Sequence, residues 1–146
     1  TGCPEDFFQI EGSAQCFQFF NDTVRDWSGA HAKCLELNQT STLATPSEEA
    51  ALSLRKHLLH EYGEGDVWLD GISPGGSVPV MVQGNQTELN SDHHLWVGGW
   101  PRLSSDEDEC LVMVVYPEWL SKAPAQVYFH LPCTTYEFTL CEAVFD

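Results

Sequence analysis

Basic residues are scarce. Lysine and arginine total 6 against 22 aspartates and glutamates, for a formal charge of −16 over 146 residues. Nucleic acid and anionic membrane surfaces both repel such a chain at long range, so neither is expected as a partner. Long apolar runs are missing too: none approaches the ~20 residues that cross a bilayer, so no membrane insertion is expected. No CxxC pair, HExxH word or Gly-x-Ser-x-Gly word occurs, which removes common signatures of zinc sites, metalloproteases and serine hydrolases. The six histidines do not restore a catalytic reading. His93 and His94 are adjacent and would point to opposite faces of a strand. His57 and His60 can share a helix face but have no matching carboxylate word. Solvated or partly packed histidines are expected, and no enzyme. There is no internal repeat, linker or coiled-coil neck, and the opening Thr1-Gly2-Cys3-Pro4 reads as a mature form after processing.

What the chain does have is six cysteines: Cys3, Cys16, Cys34, Cys110, Cys133 and Cys141. An even count in a short chain points to a disulfide framework, with 15 possible connectivities on spacing alone. Disulfides persist in oxidising compartments, so a secreted or extracellular protein is expected. Three N-x-T sequons, at Asn21, Asn38 and Asn85, agree. The length fits one domain, residues 1–146, with a core that needs no metal support.

Phe7 to Phe20 is aromatic-rich and broken by Glu11-Gly12-Ser13, which predicts two short strands around a turn. A helix fits Asp26 to Leu37, capped by Asp26, with Trp27, Ala30, Cys34 and Leu37 on one face. Thr45-Pro46-Ser47-Glu48 announces a second helix, with capping-box spacing from Thr45 to Glu48 and a stripe of Ala51, Leu54 and Leu58 ending near Leu59. From Gly63 to Asp108 only short apolar pieces (Val67-Trp68-Leu69 and Val78 to Val82) interrupt Gly, Pro, Ser, Asn and Asp, the mark of a functional surface. Strands resume at Leu111 to Tyr116, Gln126 to Phe129 and Phe138 to Val144. Strands, two helices, a long loop region and strands again make an α+β class with antiparallel sheet.

Taken in order, Cys3-Pro4, Cys16-Phe17, Trp27-x-x-Ala30-x-x-x-Cys34, Leu43-Ala44-x-x-Ser47, Trp68-Leu69-Asp70-Gly71 and Phe138-Thr139-Leu140-Cys141-Glu142 span the whole chain. Together they resemble the C-type lectin-like domain in its long form. The resemblance implies two helices with two small antiparallel sheets, and the pairs Cys3–Cys16, Cys34–Cys141 and Cys110–Cys133. Among these words Trp27 and Trp68 are expected to be buried, and Trp96 to lie in the core under the long loop.

Sugar-binding members of that family hold a Ca²⁺ at the tip of the long loop, through Glu-Pro-Asn or Gln-Pro-Asp and a Trp-Asn-Asp word before the fifth cysteine. Calcium takes 6–8 oxygen ligands at about 2.4 Å. Here the loop word is Trp100-Pro101-Arg102, and the second is Tyr128-Phe129-His130. Indole and guanidinium carry no acceptor oxygen, and the second word offers no carboxylate or carboxamide, so no Ca²⁺ is expected at the usual sugar site. The run Asp106, Glu107, Asp108, Glu109 reads as solvated charge, or as a rebuilt cation site or a dock for a basic ligand. A second, structural Ca²⁺ implied by the resemblance would use the Leu43 carbonyl, Glu49 and Glu142. The alternative is that Glu49 favours the helix N-terminus and Glu142 is an exposed strand acid.

The resemblance implies a secreted domain that recognises glycans or microbial surface polymers in innate immunity without the calcium chelate. A domain that binds a protein partner, or an acidic matrix- or mineral-associated protein, are the alternatives. For any ligand, contacts are expected at Trp100, Pro101, Arg102, Phe129 and His130, at one exposed loop tip, with acids 106–109 at the rim.

Overall fold

The computed structural model of the chain describes residues 3–10, 13–37, 41–73, 80–81, 96–97, 107–116 and 127–143. The N-terminal hairpin is formed by β1 (Phe8–Gln9) and β2 (Cys16–Arg25), with Phe8 opposite Phe17 and Gln9 opposite Cys16. β2 runs five residues past the expected end at Phe20, because Arg25 still finds a partner in Glu137 beyond a bulge. Helix α1 (Trp27–Leu37) starts where expected: Asp26 Oδ1 accepts the Gly29 N–H at 2.8 Å.

Helix α2 (Glu48–Tyr62) begins differently from the capping-box reading. Its cap is Ser47, whose hydroxyl accepts the Ala50 N–H at 3.2 Å. Thr45 is not the cap, because its N–H and hydroxyl both turn to the Glu142 carboxylate. The helix also runs one turn beyond Leu59, to a C-terminus at Gly63, whose φ of 93° suits a residue without a Cβ.

Between the helices lies β3 (Ser41–Leu43), a strand of three residues that is too short to leave a period-2 signature. The remaining strands are β4 (Gly65–Ser73), β5 (Val80–Met81), β6 (Glu109–Val115), β7 (Tyr128–Pro132) and β8 (Glu137–Ala143). The apolar piece at 67–69 is therefore the centre of a nine-residue strand rather than a fragment inside a loop.

The expectation of two separate antiparallel sheets is corrected. Among the described residues the strands form one connected sheet in the order β1-β2-β8-β4-β6-β7, with β3 on β8 and β5 on β4. The join is a parallel pairing of β4 with β8, Val67 to Phe138 and Trp68 to Thr139, and the other pairings are antiparallel.

Strand alternation then divides the core in two. Val67, Leu69, Leu111, Met113 and Leu140 face one way and meet Ala51, Leu54 and Leu58 of α2. Trp68, Val112, Cys110 and Cys141 face the other way and meet Ala30 and Cys34 of α1. Trp68 is buried, and Trp27 is half-buried against that second cluster. Both indoles keep their N–H satisfied, Trp68 on the Arg25 carbonyl at 2.8 Å and Trp27 on the Leu69 carbonyl at 2.9 Å. The three disulfides pair as the resemblance implies, Cys3–Cys16, Cys34–Cys141 and Cys110–Cys133.

Candidate functional site

The long loop region leads into β6 at Glu109, and β7 pairs with that end of β6 through its Pro132. Leu111 faces His130 across the pair and Glu109 faces Pro132, so Glu109 and His130 are diagonal neighbours on one face. The His130 ring nitrogen Nδ1 makes a short hydrogen bond to Glu109 Oε1. An ionised carboxylate only accepts, so the imidazole supplies the proton at Nδ1. The ring is 1% exposed. Trp96 stands edge-on to it, with centroids 5.9 Å apart, and edge-on to Tyr128 at 6.3 Å. Trp96 is buried, and the chain is pinned to β7 beside it, where the Val97 N–H donates to the Tyr128 carbonyl at 2.8 Å. Burial, with the charge of Glu48 adding, pushes the Tyr128 phenol above its ordinary range.

This arrangement corrects the expected contact surface. His130 is buried, not at an exposed tip, because Trp96 and Glu109 enclose it. Phe129 is half-buried and packs with the cluster under α1. Glu109 is drawn inward by His130, whereas Glu107 and Asp108 are exposed. Trp100, Pro101, Arg102, Asp106, Asn38 and Asn85 lie outside the described residues, as do His93 and His94. Of the other histidines, His57 stacks on Phe8 with centroids 4.4 Å apart, and His60 is exposed beside Glu61.

A second polar cluster lies beneath the start of α2. Glu142 is buried, not the exposed strand acid of the alternative reading. Its Oε1 accepts the Thr45 N–H at 2.9 Å and the Thr45 hydroxyl at 3.4 Å, and its Oε2 accepts from Gln15 Nε2 at 3.0 Å. Burial raises the pKa of this carboxyl, and those hydrogen bonds act in the opposite direction. The same Gln15 Nε2 donates to the Thr45 carbonyl at 2.9 Å, while Gln15 Oε1 accepts the Ser47 N–H at 2.8 Å.

Two of the three groups that the resemblance implies for a structural Ca²⁺, Glu142 and the Leu43 carbonyl, are engaged within the protein. A cation needs oxygens turned toward it, and here N–H and O–H donors already face both oxygens of Glu142. The Leu43 carbonyl accepts the Thr42 hydroxyl at 3.1 Å. Glu49's side chain is outside the described residues. Among the described residues no group of three or more His, Cys, Asp or Glu side chains is placed to share an ion.

Asp70 was not singled out by sequence. It is 2% exposed, its Oδ1 has no hydrogen-bond partner, and burial, with the Glu142 charge adding, pushes its carboxyl up to about 7. The signal that was available is an acid between Leu69 and Gly71 inside an apolar strand. Gln15 gave no signal at all, since its partners lie 30 and 127 residues away.

No family model and no curated protein matches the chain. Solved structures do. The C-type lectin CEL-I from Cucumaria echinata superposes with a TM-score of 0.76 at 17% identity, covering 100% of both chains. The chain has the C-type lectin-like fold. The C-type lectin domain of murine dendritic cell inhibitory receptor 2, solved in complex with N-glycan, superposes with a TM-score of 0.69 at 17% identity, covering 99% of this chain and 100% of that one. A calcium-independent type II antifreeze protein gives a TM-score of 0.67 at 20% identity, covering 97% and 94%. In this C-type lectin-like fold the base of the long loop is thus closed by an imidazole, a carboxylate and an indole.

Proposed function

We propose that this protein is an extracellular, non-enzymatic C-type lectin-like domain that binds glycans or microbial surface polymers through its long loop without a chelated calcium ion. The observation that carries this reading is the His130–Glu109 pair under Trp96. A hydrogen-bonded, buried pair ties β6 to β7 at the point where family members place calcium ligands, so the loop base is held by side chains alone. Three disulfides support an oxidising, extracellular setting, and no described helix is long and apolar enough to cross a membrane. The N-glycan in one structural neighbour and the calcium independence of another support the combination, each as a property of that neighbour.

Trp100, Pro101 and Arg102 are the contact residues in this reading, with Glu107 and Asp108 at the rim. An indole stacks on a sugar ring, and a guanidinium bonds hydroxyls or carboxylates, with no metal required. Innate immune recognition is the role this chemistry would serve. A protein partner is the second reading, favoured by the same aromatic and arginine pair, which is the usual anchor chemistry of protein interfaces.

The test is a glycan array followed by titration of the strongest ligand against the parent protein, Trp100→Ala and Arg102→Ala. Each variant should weaken binding by more than about tenfold while unfolding like the parent. Parent-like binding by both variants overturns the assigned contacts. A silent array overturns glycan recognition and leaves the protein-partner reading.

A further inference from the structure

A shallow depression lies on the side of the domain away from the loop base, between the end of α2 and the edge of the sheet. Its walls include Phe19, Asn21, Tyr62, Gly65, Val115 and Phe138, and it encloses about 310 Å³ of free space open to solvent. Its cavity volume proper is about 70 Å³, well below the roughly 300 to 1,000 Å³ of sites that hold a free small ligand, so only a tethered group would stay in it. Phe19 and Tyr62 meet with centroids 4.7 Å apart, and Phe138 stands edge-on to Phe19 at 5.9 Å. The floor exists because Gly65 has no side chain: a Cβ there would come within 2.7 Å of the Phe138 ring. Gly63 keeps one side open, with nothing within 4 Å of where its Cβ would be. Tyr62 is 43% exposed, so the depression holds an aromatic surface that the chain itself leaves wet.

One wall is the acceptor of a sequon. Asn21-Asp22-Thr23 is exposed along its length on β2, so it is reachable for modification. Strand alternation puts residue i−2 on the same face as residue i. Phe19 and Asn21 obey it, both lining the depression. A sugar attached to the Asn21 amide nitrogen therefore begins beside aromatic rings, held there by its own covalent bond.

We propose that Asn21 carries an N-linked glycan whose first N-acetylglucosamine lies in this depression against Phe19 and Tyr62 as a structural part of the fold. The C–H face of a pyranose is apolar and packs on aromatic faces, while its hydroxyls point to solvent. The tether removes most of the entropy cost that a free sugar would meet in so shallow a site. Packing of this kind is present only in the folded state, so it raises stability. The outer sugars are not needed for it.

The experiment uses protein secreted from a eukaryotic host, with Thr40→Ala and Thr87→Ala removing the other two sequons. Peptide mapping reads Asn21 occupancy, and thermal unfolding compares three forms: the full glycan, the single N-acetylglucosamine left by an endoglycosidase, and Thr23→Ala, which carries no glycan. The expected result is occupancy at Asn21, equal melting temperatures for the first two forms, and a loss of about 3 °C or more for the third. Tyr62→Ala should abolish the difference between glycosylated and unglycosylated forms, and Tyr62→Phe should keep it. An unmodified Asn21, equal melting of all three forms, or a difference that survives Tyr62→Ala overturns the proposal.

Discussion

His130 Nδ1 on β7 hydrogen-bonds the Glu109 carboxylate on β6, and the pair is diagonal across neighbouring strands. Its burial beneath Trp96 ties together three segments that are far apart in sequence. Removing one partner should therefore cost more than an exposed ion pair would. Glu109→Ala leaves a buried imidazole donor unsatisfied, and a loss of about 1–3 kcal/mol is expected in denaturant unfolding. Added calcium should not recover it.

Gln15 bridges the Thr45 carbonyl and the Glu142 carboxylate with one amide nitrogen. Gln15→Leu removes the donor to both and the acceptor of the Ser47 N–H. A loss of roughly 2–4 kcal/mol is expected, at the upper end for a neutral network because one acceptor is charged. Gln15→Glu should be unstable alone and gain a calcium-dependent rise in melting temperature that the parent lacks, since it adds a carboxylate beside Glu142. Differential scanning fluorimetry with calcium and with EDTA distinguishes the two.

Much of this was legible in the sequence. The cysteine and tryptophan words placed α1, much of the core and, through the resemblance, the disulfides, while the Thr45-Pro46-Ser47-Glu48 word and its apolar stripe placed α2. Local signals failed where partners are remote. Thr45 satisfies the capping-box pattern but is claimed by Glu142, 97 residues away, which hands the cap to Ser47. The burial of His130 depends on Trp96, 34 residues earlier and inside a stretch with no periodicity. β3 is only three residues long, and its existence is set by its pairing with β8. Whether a strand residue faces water or an indole is decided by such contacts, not by its neighbours in the chain.

Two carboxyls sit far above the ordinary carboxylate range. Asp70 is pushed up to about 7 by burial, with the Glu142 charge adding, and Glu137 is pushed up to about 7 by burial, with the Asp66 charge adding. Both bind a proton more tightly folded than unfolded. Their contribution is therefore fully present below about pH 4 and is lost as pH rises through about 7. Melting temperature should be higher near pH 5 than near pH 8. Asp70→Asn should flatten that difference, and Glu137→Gln should do so more weakly because Glu137 is half-exposed.

The Cys34–Cys141 bridge joins α1 to β8 across 107 residues. Replacing both cysteines by alanine should cost roughly 4–5 kcal/mol on the chain-entropy account, a large share of the roughly 5–15 kcal/mol that holds a domain folded. The change should appear as a shift of the denaturant midpoint or as failure to fold at all. A variant that unfolds like the parent would show that the native contacts alone hold the two elements together.

Calcium independence of recognition is tested most directly on a glycan array probed twice with one batch of the secreted protein, once with calcium and once with EDTA. The loop base held by His130, Glu109 and Trp96 predicts the same glycans at comparable strength in both. Signals that vanish in EDTA, or an array silent under both conditions, would contradict it.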